Sequence, residues 1–155
     1  MSARPPASSE SVRARMSRQR RTGTEPELLV RRILHARGIR YRVDTAPEPG
    51  LRCKADIVWR GLRLAVFLDG CFWHGCPIHA TRPKANETWW ARKLEGNVER
   101  DRRTDADLTA RGWTVLRFWE HEDPKIVADA ICRQLIDLRA GRRPVQITQP
   151  VRHGR

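Results

Sequence analysis

From residue 23 onward the apolar positions of the chain switch between helical and extended spacing. Leu29, Val30, Ile33 and Leu34 recur at intervals of three and four, the stripe of a helix that buries one face. Thr24-Glu25-Pro26-Glu27 stands before them as a capping box with proline tolerated in the first turn, and Gly38 ends the run. Residues 39–43 alternate and predict a strand, followed by the loop TAPEPGLRC. Residues 55–59 and 62–68 are apolar runs on either side of Arg60-Gly61, a tight hairpin signal, so three antiparallel strands are expected. Residues 88–94 and 98–111 have helical spacing, with a break near Gly96-Asn97 and a stop at Gly112. Residues 113–119 favour extended structure and predict an interior strand reached by a crossover helix. Asp123-Pro124 then opens a last helix with Ile126, Val127, Ala130, Ile131, Leu135 and Leu138 on one face. The expected order is α-β-β-β-α-β-α, an α/β class with a mixed central sheet flanked by helices and no internal repeat.

The two ends do not share this patterning. Residues 1–22 are rich in Ser, Pro and Arg and too poor in apolar side chains to form a core, so they read as a flexible basic arm. Residues 141–155 form a basic tail with Pro144 and Pro150. A single domain over residues 23–140 remains, as a chain of 155 residues allows. The N-terminus lacks the apolar segment of a signal peptide, and no run of about 18 apolar residues is present, so a cytosolic protein without membrane contact is expected. Lys and Arg number 31 against 18 Asp and Glu, a net +13 that calls for a polyanionic partner, nucleic acid first. Arginine outnumbers lysine, which suits contacts to phosphates and base edges.

Candidate chemistry is concentrated in residues 66–79, VFLDGCFWHGCPIH. Cys71, Cys76 and His79 have C-x4-C-x2-H spacing, which lets soft ligands converge on zinc from one loop, and His121, just after the run WTVLRFWE, is the best-placed fourth ligand. His74 in the same loop competes for that role. A Cys71–Cys76 disulfide or two buried thiols is the alternative, disfavoured in a reducing compartment. Cys132 reads as core, and Cys53 is unassigned. Asp56 opens one strand and Asp69 closes the next, so a hairpin would bring both carboxylates to one sheet edge, where they suit Mg²⁺. Asp56 stands out because an acid in an apolar strand is costly unless paired or bound to metal. Glu27 and Asp101 complete a set of acids suited to phosphodiester hydrolysis, with His74 as base. On the residues alone the plainer readings lead for two of these, Glu27 as part of the capping box and Asp101 as a helical ion-pair partner, while Asp69 beside Gly70 has a turn former as its alternative. Phe72, Trp73, Trp89 and Trp90 either stack on or insert between bases, or pack on one another over the cysteine loop. Trp59, Trp113 and Trp119 lie in strand patterns and read as packing groups.

The combination VFLDGCFWHGCPIH, then WW-x-x-K-x-x-x-NVERDRR, then GW-x-VLRFWEH, resembles the very-short-patch-repair (Vsr) DNA mismatch endonucleases over residues 15–138. The resemblance implies a restriction-endonuclease-like fold with a structural zinc, and Mg²⁺-dependent nicking of double-stranded DNA on the 5′ side of the thymine in a T·G mismatch left by deamination of 5-methylcytosine. Carried over by position, Asp56 matches the central Mg²⁺-binding aspartate, with the backbone carbonyl of Leu68 as a second ligand. His74 matches the histidine that activates water, and Glu27 and Asp101 match the supporting acids. Cys71, Cys76, His79 and His121 take the zinc positions. Phe72, Trp73 and Trp90 match the aromatics inserted beside the mismatch, and Met16 lies near the arm that wraps the DNA. A monomer located in the cytoplasm at the nucleoid, with mismatch-repair proteins of the MutL type as partners, follows from the same resemblance. One departure is that the acid-x-Lys pattern of the wider nuclease superfamily is missing, since Cys71 stands two residues after Asp69 and His74 must supply the lysine's function. The competing expectations are a non-catalytic zinc-stabilised DNA-binding module and a related nuclease with no need of a mismatch.

Overall fold

A computed structural model describes residues 6, 9–11, 13–14, 23–79 and 83–142; Met16, most of the arm, residues 80–82 and the tail from residue 143 lie outside the described residues. The elements follow the expected order: α1 Glu25–Ala36, β1 Arg42–Thr45, β2 Ala55–Trp59, β3 Leu64–Asp69, α2 Glu87–Ala110, β4 Thr114–Trp119 and α3 Pro124–Arg139. The sheet order is β1-β2-β3-β4, antiparallel between β1, β2 and β3 and parallel between β3 and β4. The parallel pair requires a crossover, and α2 supplies it.

Both faces of the sheet are covered, which is why β2, β3 and β4 read as nearly continuous apolar runs. On one face Val30 and Leu34 of α1 and Val127, Ile131 and Leu135 of α3 pack over Ile57, Leu64, Val66, Leu116 and Phe118. On the other, Leu108 of α2 and Trp113 pack over Val58, Ala65, Phe67 and Val115. Trp59 and Trp113 are buried core residues, as the strand pattern implies. Cys132 packs against the first cluster and Cys53 against the second.

Four boundaries differ from the sequence expectation, each for a local reason. Residues 39–41 do not join the sheet, because Ile39 N–H donates to Leu34 O (3.1 Å) and Gly38 N–H to His35 O (2.9 Å), closing α1 in a Schellman motif. Gly38 takes the positive φ of 76° that this motif needs. The link between β2 and β3 is one turn of 3-10 helix, Arg60–Leu62, and not a two-residue hairpin; Arg63 O then accepts from Thr114 N (2.8 Å), tying the turn to the start of β4. α2 runs unbroken through Gly96-Asn97. An interior glycine costs only about 1 kcal/mol against alanine, and the Asn97 side chain is tied to the loop after β3. β4 is the last strand of the sheet, not an interior one; it is buried by helices on its two faces and not by a further strand among the described residues.

The capping box is also altered. Thr24 is the N-cap of α1 but its side chain makes no capping bond. Glu27 reaches back instead to Gly23 N–H (2.9 Å) and pairs with Arg31, and it is 2% exposed.

Candidate active site

The open end of the sheet, where β2 begins and β3 ends, faces a cleft of about 1130 Å³ between α1, α2 and the loop after β3. Glu27, Asp56, Leu68, Phe72, Trp73, His74, Trp89 and Trp90 line it, with the basic Arg32, Lys93 and Arg100. Elements distant in sequence meet here because the antiparallel β2–β3 register sets the start of one strand beside the end of the other.

Asp56 lies at that crossing. Its Oδ2 accepts from the backbone N–H of Leu68 (2.7 Å). Burial raises its pKa to about 6; the Leu68 bond opposes the shift and the nearby charge of Asp69 adds to it. A carboxylate in this position gains from a cation.

His74 lines the same cleft. Its Nδ1 is 2.5 Å from Asp101 Oδ2 and 3.8 Å from Asp69 Oδ1. A carboxylate only accepts, so in this contact Nδ1 carries the proton, and Nε2 is the ring nitrogen that the contact leaves available. Burial works against protonation of His74, but the Asp101 hydrogen bond and the charges of Asp69 and Asp101 outweigh it and raise the pKa. Asp69 reaches the expected end of the sheet, yet its carboxylate is engaged by Arg117 at 2.9 and 3.1 Å. It is 4% exposed and is neither a simple turn former nor an open partner for Asp56.

The loop after β3 draws together the soft ligands. Gly75, with φ 68°, turns the chain so that Cys76 N–H donates to Cys71 O (2.8 Å). Cys71, Cys76, His79 and His121 then present four donor atoms within 4.8 Å of one another. His121 Nδ1 is 3.1 Å from Cys71 Sγ and 3.5 Å from Cys76 Sγ, and His79 Nδ1 is 3.9 and 3.8 Å from the same two. A tetrahedral zinc with Zn–S near 2.3 Å and Zn–N near 2.0–2.1 Å separates S from N by about 3.5 Å, so the donor set fits that ion. Burial and the neighbouring Cys76 push the Cys71 thiol up to about 12. His74, the competing ligand, lies instead with the acids. Glu120 connects the two regions, since its Oε1 accepts from Cys71 N–H (2.8 Å) and its side chain borders the cleft.

The four aromatics form one cluster. Phe72 lies 5.0 Å from Trp73 and 5.4 Å from Trp90, Trp73 lies 5.9 Å from Trp90, and Trp89 lies 4.9 Å from Trp90, ring centre to ring centre. Trp90 is 9% exposed and the others are half-buried along the cleft. Asn97 explains why α2 is not broken: its amide donates to Trp73 O (3.0 Å) while Arg100 donates to its Oδ1 (2.5 Å).

Residues 8–80 match the family described as DNA mismatch endonuclease Vsr. The type II nicking enzyme V.NaeI of Lentzea aerocolonigenes is 45% identical over 139 residues, 88% of this chain and 84% of that protein. The type II nicking enzyme V.XorIIP of Xanthomonas oryzae pv. oryzae is 39% identical over 133 residues, 84% of this chain and 95% of its own. The DNA mismatch endonuclease Vsr of Escherichia coli is 38% identical over 89 residues, 57% of this chain and 55% of its own. The chain belongs to the Vsr family. It is an endonuclease that acts on DNA, and the alternative of a non-catalytic DNA-binding module falls.

For this Vsr endonuclease the structure gathers Glu27, Asp56, Leu68, Phe72, Trp73, His74 and Trp90 around one cleft and sets Asp101 behind His74. The four Cys and His residues lie together beside it. Sequence reasoning missed Arg117, Asp105, Glu120 and Asn97. The signal for Arg117 was present, because a charge inside the apolar run TVLRFW is as costly as Asp56 inside ADIVW. Asp105 stands one turn after Asp101 on α2 and shared that signal only through Arg117. Among the described residues no helix is long and apolar enough to cross a membrane.

Proposed function

We propose that this Vsr-family endonuclease nicks double-stranded DNA on the 5′ side of the thymine in a T·G mismatch, using Mg²⁺ at Asp56 and a structural zinc in a restriction-endonuclease-like domain spanning residues 23–140. The observation that carries this reading is the convergence of Asp56, Glu27 and the Asp101-held His74 with four aromatic rings in a single cleft. The same reading takes Phe72, Trp73 and Trp90 as the wedge, residues 1–22 with Met16 as the DNA-contacting arm, the cytoplasmic nucleoid as the site of action, and MutL-type proteins as partners.

Asp56 with the Leu68 carbonyl, supported by Glu27, would hold Mg²⁺, whose contribution when bound is to stabilise charge on the phosphate and orient water. His74 takes a proton at Nε2 from the attacking water, and Asp101 keeps Nδ1 protonated and the ring aimed at the cleft. Arg32, Lys93 and Arg100 meet the DNA backbone. Nicking of a T·G duplex should require Mg²⁺ and fail in EDTA, while the matched T·A duplex stays intact. Equal nicking of both duplexes would assign instead a nuclease that ignores mismatches.

A T·G wobble stacks less well than a Watson–Crick pair, so inserting rings beside it costs less, and unstacking of about a few kcal/mol per step is enough to discriminate. Trp73→Ala or Trp90→Ala should therefore weaken binding to the T·G duplex by about ten-fold more than to the T·A duplex. Equal losses on both duplexes would make these rings packing groups only. Because basic contacts release counterions, affinity for any duplex should fall steeply with salt, and deletion of residues 1–20 should make that slope shallower. A slope unaltered by the deletion would show that the arm does not touch DNA.

A further inference from the structure

We infer that Arg117 is a positioning residue for nicking: its buried guanidinium gathers Asp69, Asp101 and Asp105 into one cluster that fixes the ring of His74 in the cleft. The inference rests on the proposal that His74 works in the nicking site.

Arg117 lies in the middle of β4 and is 5% exposed. Its neighbour two residues earlier, Val115, packs on the α2 side of the sheet, so strand alternation sends the Arg117 side chain to that side as well. There two arms of its planar fork are hydrogen-bonded and the third faces an acid at ion-pair distance. Nε donates to both oxygens of Asp105 (2.8 and 2.9 Å), Nη1 donates to both oxygens of Asp69 (2.9 and 3.1 Å), and Nη2 lies 3.8 Å from Asp101 Oδ1. The Phe67 ring closes the remaining side, 4.2 Å from the guanidinium carbon. The two acids that Arg117 shares with His74 are the ones on His74 Nδ1: Asp101 at 2.5 Å and Asp69 at 3.8 Å. Strand β3 supplies Asp69, helix α2 supplies Asp101 and Asp105, strand β4 supplies the cation, and the set ends on an imidazole that lines the cleft.

Charge decides between a packing role and this one. Three carboxylates this close, with Asp69 buried, repel one another without a cation, and apolar side chains of similar volume often fill such a space at no loss of stability. Distance alone would let Asp69, His74 and Asp101 hold a metal ion, but the guanidinium already supplies positive charge at that place. A fork that meets three acids from two elements fixes angle as well as distance, which a point charge does not. A small tilt of the Asp101 carboxylate would swing the His74 ring, and proton transfer falls steeply when the base leaves its line of attack.

Three variants test the inference. Arg117→Lys keeps the charge and loses the fork. The neutral triple variant Asp69→Asn, Asp105→Asn, Arg117→Met removes the cation together with the two acids hydrogen-bonded to it, and leaves Asp101, which is partly exposed, hydrogen-bonded to His74. His74→Ala is run beside them. Single-turnover nicking of a T·G duplex with Mg²⁺, affinity for the same duplex in EDTA, and zinc content are measured for each. Arg117→Lys and the neutral triple variant are both expected to bind within about two-fold of the native protein, retain zinc, and nick at least about ten-fold more slowly. A native nicking rate in either variant would overturn the inference, and so would a slower rate matched by an equal loss of affinity. Native nicking by His74→Ala would instead remove the underlying assignment of His74, a separate outcome.

Discussion

Asp56→Asn is expected to abolish nicking, by about a thousand-fold or more, and at the same time to stabilise the metal-free protein above pH 6. Asparagine keeps the shape and can still accept from Leu68 N–H, so only the charge is lost. Burial lifts the pKa of Asp56 from the ordinary carboxylate value of 3.8 to about 6. At pH below 4 the group is protonated both folded and unfolded and costs nothing. As pH rises from 4 to 6 the unfolded chain releases its proton first, so the folded state loses stability across that window, up to a ceiling of roughly 3 kcal/mol. The melting temperatures of variant and native protein should therefore coincide near pH 4 and separate in favour of the variant at pH 7–8. Added Mg²⁺ should raise the melting temperature of the native protein and not that of the variant, because a cation that binds only the folded form stabilises it by mass action. A variant less stable than the native protein at pH 8, or one equally stabilised by Mg²⁺, would remove Asp56 as the metal-holding acid.

If the Cys71, Cys76, His79 and His121 cluster holds the proposed zinc, its removal should have the largest effect on the fold around the cleft. Residues 71–79 contain turns but no helix or strand, and their order depends on the four donors and the aromatic contacts. Cys76→Ser should lower the melting temperature by about 10 °C, equivalent to about 3–5 kcal/mol at this chain length. The same change should narrow the preference for T·G over T·A, since Phe72 and Trp73 are carried by this loop. The Cys71 thiol, pushed up to about 12 by burial, must lose its proton on binding metal, so zinc uptake should release protons and weaken as pH falls. Metal analysis of the folded native protein that finds no zinc would defeat this assignment.

The sequence singled out most of the residues that meet at the cleft and in the Cys and His cluster, but it did not show why several of them meet there. Asp56 could be singled out because an acid in an apolar strand needs a partner, and Cys71, Cys76 and His79 because their spacing suits one metal. Glu27 and Asp101 could not be separated from ordinary capping and ion-pair residues by local pattern. Glu27 bonds Gly23 N–H at the start of its helix, as a capping acid does, and the same side chain borders the cleft. Asp101 lies among arginines on α2, yet its partner of consequence is His74, 27 residues earlier. Gly96-Asn97 looked like a helix break because both residues have low helix propensity, but the Asn97 amide is held by Trp73 and Arg100.

Local and periodic features of the sequence determined the order of the elements, the closing of α1 and α2 at Gly38 and Gly112, the two-sided burial of β2, β3 and β4, and the basic character that matches a DNA-acting family. These depend on propensity, alternation and composition, which act over a few residues and need no partner. Only the tertiary structure decided that Asp69 belongs to Arg117, that His74 belongs to Asp101 and not to the cysteine cluster, that four aromatic rings share one wall, and that β4 ends the sheet. Each of these is a pairing between groups far apart in the chain. A charged or aromatic side chain carries in its own sequence neighbourhood the need for a partner, but which partner meets that need is set by strand register and by the crossover helix.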